Sequence, residues 1–315
     1  KWTALTLLDT SENTGDPLVS SVAVSGNDVY VGGCRNIKPN MVTAGYWKNG
    51  NWNALDSSGG AKDSAVTSFV ISGIDIYAGG YCYNSGNYPV AGYWKNGTWK
   101  ALTPSDSVES SYVTSLAFYG SSVYAGGYTI KPSDDGAPAG ERIPWYFING
   151  KRVDPENRSY RSQIDSLAVS GNVVYAGGWG SNDSGNGYWK NGKWVRLNSP
   201  EPGQASYVTS VAVSGKDVYA GGYSMDGPVL IPVYWKNGKC IVLPSPDSAG
   251  DSEVLSLAVS GSDVYAAGYI TKKSGIKTAG YWKNGKWKEL SPVNTKNWSY
   301  ATSIVIVSVP ALKNK

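Results

Sequence analysis

Val208-Thr209-Ser210-Val211-Ala212-Val213-Ser214-Gly215-Lys216-Asp217-Val218-Tyr219-Ala220-Gly221-Gly222 is the stretch that decides the fold. A short β-branched run meets Ser-Gly, turns, and returns as a second apolar run ending in two glycines, which is the pattern of a tight β-hairpin. Its core, Ser-Gly-x-x-Val-Tyr-Ala-Gly-Gly, occurs six times with at most one departure per copy. The copies lie at 25–33, 72–80, 119–127, 170–178, 214–222 and 260–268, in steps of 47, 47, 51, 44 and 46 residues.

A second motif follows each copy. Tyr-Trp-Lys-Asn-Gly stands at 46–50, 93–97, 188–192, 234–238 and 281–285, with a degenerate version at 146–150. Asn-Gly suits the positive φ that both central positions of a type I′ turn require, so this motif predicts a second hairpin. A closing strand, x-Trp-x-x-Leu, comes next, as in Lys193 to Leu197. Each unit thus reads as four antiparallel strands, a to d, and no 3.6-residue periodicity appears. Four short strands per unit of about 47 residues, repeated along a chain of 315, predict an all-β propeller forming a single domain over 1–315.

The repeat resembles kelch-type propellers. In that family a double glycine ends the second strand, a Tyr marks the third and a Trp the fourth. Here those positions are Gly79-Gly80, Tyr93 and Trp99 in one copy, and Gly221-Gly222 and Tyr234 in another, where Cys240 replaces the Trp. The resemblance implies architecture and says almost nothing of activity, because one scaffold hosts many functions. At the ends, Lys1 to Leu5 reads as a lone strand d and Ala301 to Ile306 as a lone strand a. The expectation is six complete blades plus a split, incomplete seventh, with a plain six-bladed ring as the alternative. A chain truncated at its start would account for the missing strands of that seventh unit.

Composition removes many functions. There is no histidine, hence no histidine triad, no histidine–zinc site and no imidazole switch. A net charge of +4 without long like-charge blocks gives nucleic acid no footprint, and no apolar run is long enough for a membrane helix. No Gly-rich phosphate loop or Asp-x-Asp-x-Asp-Gly calcium spacing exists, so no cofactor or metal is expected. Cys34 and Cys82 sit at nearly equivalent corners of adjacent units, where a disulfide is conceivable, and Cys240 reads as a buried free thiol.

Chain direction puts both tight turns of every unit on one face and the b–c and d–a connections on the other. The b–c stretch ranges from nine residues (between Gly178 and Tyr188) to eighteen (between Gly127 and Tyr146), and variable connections on a rigid scaffold are where binding usually resides. Directly after the double glycine come Cys34, Tyr81, Tyr128, Trp179, Tyr223 and Tyr269. The five aromatics either seal the corners between blades or form a ring that stacks sugar faces or apolar side chains. The third unit departs most from the pattern and gathers Arg142, Arg152, Arg158 and Arg161, suited to carboxylate or phosphate recognition. The Trp columns and the Ser column on strand a (Ser21, Ser68, Ser115, Ser166, Ser210, Ser256, Ser303) read as packing positions.

These readings converge on a non-enzymatic binding propeller that recognises a peptide, protein or glycan on the loop face. The candidate contacts are Tyr81, Tyr128, Trp179, Tyr223, Tyr269, Arg142, Arg158 and Arg161. Two alternatives stand beside it: a glycosidase-like enzyme with acids on the same face, and a structural module of a larger surface protein or assembly. Richness in Trp, Tyr, Asn, Gly and Ser without His resembles secreted or surface-displayed bacterial repeat proteins, which implies an extracellular or cell-surface location. An unpaired edge at the split blade predicts self-association.

Overall fold

The computed structural model describes residues 18–38, 41–56, 63–103, 109–132, 140–156, 162–179, 186–246, 248–291 and 297–307. Among them, six four-stranded antiparallel sheets follow one another along the chain, each in the simple order a-b-c-d, as the blades of a propeller. Blade five shows the plan, with strands Ser206–Ser214, Asp217–Asp226, Val229–Lys236 and Lys239–Val242. The six-bladed alternative is the architecture formed. The split seventh blade is not seen as a sheet: residues 1–7 lie outside the described residues, and 297–307 contain no strand.

The Asn-Gly turns form as read. Asn49, Asn96, Asn149, Asn191, Asn237 and Asn284 all have φ near 50°, each followed by a glycine of positive φ. The Asn side chain has a second role. In every blade its Oδ1 accepts from a strand b amide, such as Val218 N to Asn237 at 2.9 Å. In four blades the Asn amide also donates to an Asp that follows the Ser-Gly turn, and the neighbouring Lys pairs with that Asp. Asn237 and Lys236 meet Asp217 in this way, at 2.7 and 2.9 Å. The two hairpin turns of a blade are therefore laced side by side on one face, away from the b–c and d–a connections.

Between blades, the Ser column does more than pack. Ser68, Ser115, Ser166 and Ser210 each accept a hydrogen bond from an amide of the next blade (Leu116, Leu167, Val211 and Leu257) at 2.9–3.1 Å. Next to them, the hydroxyls of Ser20, Thr67, Thr114 and Thr209 sit at the strand a bulge. Each donates to its own blade's first double-glycine carbonyl and to a carbonyl of the following blade.

Within blades, tryptophan volume is conserved by exchange. Trp52, Trp99, Trp194 and Trp287 pack at steep angles of 54–64° against Trp47, Trp94, Trp189 and Trp282, with centroids 4.5–4.7 Å apart. Each lies over a glycine of strand c; a Cβ on Gly45 would meet Trp52 at 2.4 Å. Blade three lacks the strand d Trp and carries Trp145 in place of that glycine, fully buried, with its indole N–H donating to Thr129. Blade five pairs Cys240 with Val233 at the same two places. Cys240 is a free, half-buried thiol, less enclosed than the sequence reading had it.

Replacing Ser210 by Ala should leave the Leu257 amide buried without an acceptor, costing about 1–3 kcal/mol. Urea unfolding of Ser210→Ala beside Ser214→Ala, a substitution at the turn, should show the loss only in the first.

Candidate functional site

The corner aromatics come together as a collar on the connection face, interleaved with a second column the sequence reading missed. Three positions before the column Ser, strand a carries Leu18 and Ala65 in blades one and two and Tyr112, Gln163, Tyr207 and Glu253 in blades three to six, and Tyr300 holds the same place in the C-terminal segment. Register pairs Tyr112 with Tyr128, Gln163 with Trp179, Tyr207 with Tyr223 and Glu253 with Tyr269. Rings also meet across blade boundaries: Tyr81 on Tyr112 at 5.0 Å, Trp179 on Tyr207 at 5.1 Å, and Tyr269 on Tyr300 at 5.1 Å. Within blades, Tyr112–Tyr128 and Tyr207–Tyr223 lie at 5.3 and 5.0 Å. Sealing and presentation coexist. Each ring packs edge or face on a neighbour, yet Tyr81, Tyr128, Trp179 and Tyr223 are only half-buried, while Tyr269 is buried.

Cations sit on two collar rings. Arg142 lies 5.1 Å over Tyr128 and donates to Gln163 Oε1. Lys277, at the equivalent register position of blade six, lies 4.5 Å over Tyr269 and within 6 Å of the Trp298 and Tyr300 rings. Arg142 is thus brought to the collar as expected, whereas Arg158 and Arg161 lie outside the described residues. Arg152 pairs with Asp154 at 2.9 Å on the outer strand. Of the tryptophans outside the two Trp columns, Trp145 is core and Trp298 is 62% exposed beside Lys277.

Two carboxyl groups complete the collar. Asp165 occupies the bulge place that Thr67, Thr114 and Thr209 fill in other blades. Those threonines donate to two carbonyls; a carboxylate has nothing to donate. Gln163 Nε2 donates to Asp165 at 2.5 Å, and Arg142 stands behind it. Burial nevertheless pushes the Asp165 carboxyl up to about 7, with Gln163 and Arg142 opposing and Glu253 adding to the rise. Burial also raises Glu253, which accepts from the Tyr269 hydroxyl at 3.3 Å. Burial and the nearby acids raise the Tyr223 and Tyr269 phenols, so both stay neutral donors.

Between blades four and five the collar opens into a cleft of about 690 Å³. It is lined by Trp179, Tyr207, Arg196 at the end of strand Lys193–Arg196, and the connection 197–206 with Glu201 and Gln204. That connection is braced. Asn186 donates to Ser199 at 2.5 Å and accepts from the Ser206 amide at 2.7 Å, and Ser199 donates to the Gln204 carbonyl at 2.6 Å. Among the described residues no group of three or more His, Cys, Asp or Glu could hold a metal ion. Cys34, Cys82 and Cys240 are all free.

No protein-family model matches the chain, and no curated protein matches it. Solved structures with a related arrangement include the six-bladed fucose-recognising lectin of the fungus Aleuria aurantia, 13% identical over 87% of this chain and 95% of that one, at a TM-score of 0.42. A mutant of that lectin bound to α-methyl-L-fucoside is 14% identical over 87% and 93%, at 0.41. A Mycobacterium tuberculosis puromycin-hydrolyzing peptidase is 12% identical at 0.46; the match covers 89% of this chain and 54% of that one.

Asp165 sets a pH dependence opposite to that of an ordinary carboxylate. Its folded-state value lies above the unfolded one, so between about pH 4 and 7 the folded chain holds the extra proton. Stability should fall as pH rises through that window, by on the order of 2–4 kcal/mol, and level off above it. Asp165→Thr, which copies the other blades, should reduce the slope in urea unfolding at pH 5, 6, 7 and 8, leaving the smaller part that Glu253, also raised by burial, contributes. An unchanged slope would take the proton away from Asp165.

Proposed function

We propose that the protein is a non-enzymatic binding propeller that holds a glycan on its connection face, in the cleft between blades four and five. The observation that carries this is the pairing of aromatic faces with fixed polar groups around one opening. Trp179 and Tyr207 offer half-buried ring faces, and Tyr223 backs Tyr207. Arg196, Glu201 and Gln204 line the same opening, the last two on a hydrogen-bonded connection. Ring faces stack on the C–H side of a sugar while charged and amide groups take its hydroxyls. The kelch-like reading of the repeat and a place outside the cell or on its surface belong to this proposal, supported by the motifs and by composition.

A glycosidase-like reading keeps one specific support. Asp165 and Glu253 are two collar carboxyls, both raised by burial, and a raised carboxyl is the usual general acid of sugar hydrolysis. Hydrolysis of a bound oligosaccharide by the wild type, abolished in Asp165→Asn, would establish it; binding with no turnover supports the lectin-like reading.

Calorimetric titration of a panel of defined oligosaccharides should find at least one that binds. Trp179→Ala should weaken that ligand tenfold or more, which is about 1.4 kcal/mol, while Lys48→Ala on the turn face leaves it unchanged. Equal losses in both variants, or a panel with no binder, would contradict the proposal.

A further inference from the structure

The turn face is uneven in charge. The residues flanking each Asn-Gly turn are cross-strand neighbours, one ending strand c and one opening strand d. They are Lys48 and Asn51 in blade one, Lys95 and Thr98 in blade two, and Ile148 and Lys151 in blade three. Blades four, five and six place two lysines there: Lys190 with Lys193, Lys236 with Lys239, and Lys283 with Lys286. Like charges directly opposite one another on a sheet are destabilising, so three such pairs in succession work against the fold.

Aspartate offsets only part of this charge. Asp28 and Asp75 pair with Lys48 and Lys95, which leaves blades one and two neutral at this place. Asp217 and Asp263 hold Lys236 and Lys283 in blades five and six, at 2.9 Å each. Blades three and four have Ser122 and Val173 where the others have that Asp. Lys151, Lys190, Lys193, Lys239 and Lys286 are exposed and have no carboxylate partner among the described residues. From blade three to blade six the flanking positions thus carry seven lysines against two aspartates, a surplus larger than the +4 of the whole chain.

The unmatched charges form a track. They follow the outer, Asn-Gly turns of four consecutive blades, whereas the inner, Ser-Gly turns beside them carry Lys216 against Asp217 and Asp263. A flat anionic surface such as a membrane would meet both rows of turns; a chain-like ligand needs one. Ile74, 98% exposed on an inner turn, lies in blade two, off the track. Nor does the track offer the stacking faces that bind single-stranded nucleic acid. Trp194 and Trp287, next to Lys193 and Lys286, are packed against Trp189 and Trp282, and Arg152 is paired with Asp154.

We infer that the turn face of blades three to six holds a linear acidic polysaccharide, its carboxylate or sulfate groups met by the unpaired lysines of successive blades. Lysine suits that ligand, because a compact charge on a long flexible stem follows anions at uneven spacing without the fixed fork of arginine. This site lies on the face opposite the cleft between blades four and five and stands independently of it.

The test titrates the full 315-residue protein with an oligogalacturonate and with a heparin-type sulfated oligosaccharide of equal length, at several salt concentrations. At least one should bind, with affinity falling as salt rises because binding displaces counterions. Lys193→Gln with Lys239→Gln should weaken it roughly tenfold and flatten the salt dependence. Lys131→Gln with Lys273→Gln, which takes the same charge from the connection face, should leave it unchanged. Asn51→Lys with Thr98→Lys extends the track over blades one and two and should tighten it. Trp179→Ala should spare it, which separates this site from the cleft. Equal losses from both lysine pairs, no binding of either oligosaccharide, or tighter binding of single-stranded DNA or of anionic vesicles would overturn the proposal.

Discussion

The distance between one blade's strand b and the next blade's strand a governs this structure, and glycine sets it. At that distance the Val and Leu side chains of strand a lie directly on the neighbouring backbone, and the Ser column reaches the next blade's amides. The bulge hydroxyls then span to two carbonyls at once. A side chain at the first glycine of strand b would force these blades apart and strain both sets of bonds together, because cores packed to crystal density have no slack. Blade six shows the rule by its exception. Ala267 replaces the first glycine there, and the place of Val254 is taken by the smaller Ala301.

Closeness of this kind also explains why departures from the repeat cluster where chemistry is offered. Volume lost at one position is returned at a neighbour, as with Trp145 and the strand c glycine, so a blade tolerates irregular sequence without loss of fold. Asp165 is different: it breaks the hydroxyl column without a substitute donor, and burial pushes its carboxyl up. Glu253 interrupts the collar's aromatic pattern, and Lys277 and Arg142 lie over its rings. Regular positions hold the ring; irregular ones on the connection face give it charge.

Much of this was legible in the sequence. The six units, the Asn-Gly turns and the face assignment follow from local rules of turn and strand chemistry. The collar was half legible, since Tyr81, Tyr128, Trp179, Tyr223 and Tyr269 announce themselves by following the double glycine. Tyr112, Tyr207 and Gln163 stand three residues before the column Ser and were readable from the same alignment of units, but their meaning depends on a blade some 44–51 residues away. Asp165 was a visible break in a Ser/Thr column, yet nothing local says that a threonine there shares its one proton between two carbonyls. The role of the Ser column was misread as packing alone for that reason. The seventh unit could not be settled by counting strands, because a lone inner strand and a blade look alike in one dimension.

A double-mutant cycle across one closed boundary tests the spacing rule most directly. One arm is Gly221→Ala; the other is Val254→Ala with Leu257→Ile, which together copy the residues facing Ala267 at the last boundary. Measured by urea unfolding, each arm alone should destabilise. Combined, they should recover at least about 1 kcal/mol relative to the sum, since the contact that the alanine violates has been removed. Additivity within about 0.5 kcal/mol would show that the boundary is not set by this contact, and the account of the ring built on it would fail.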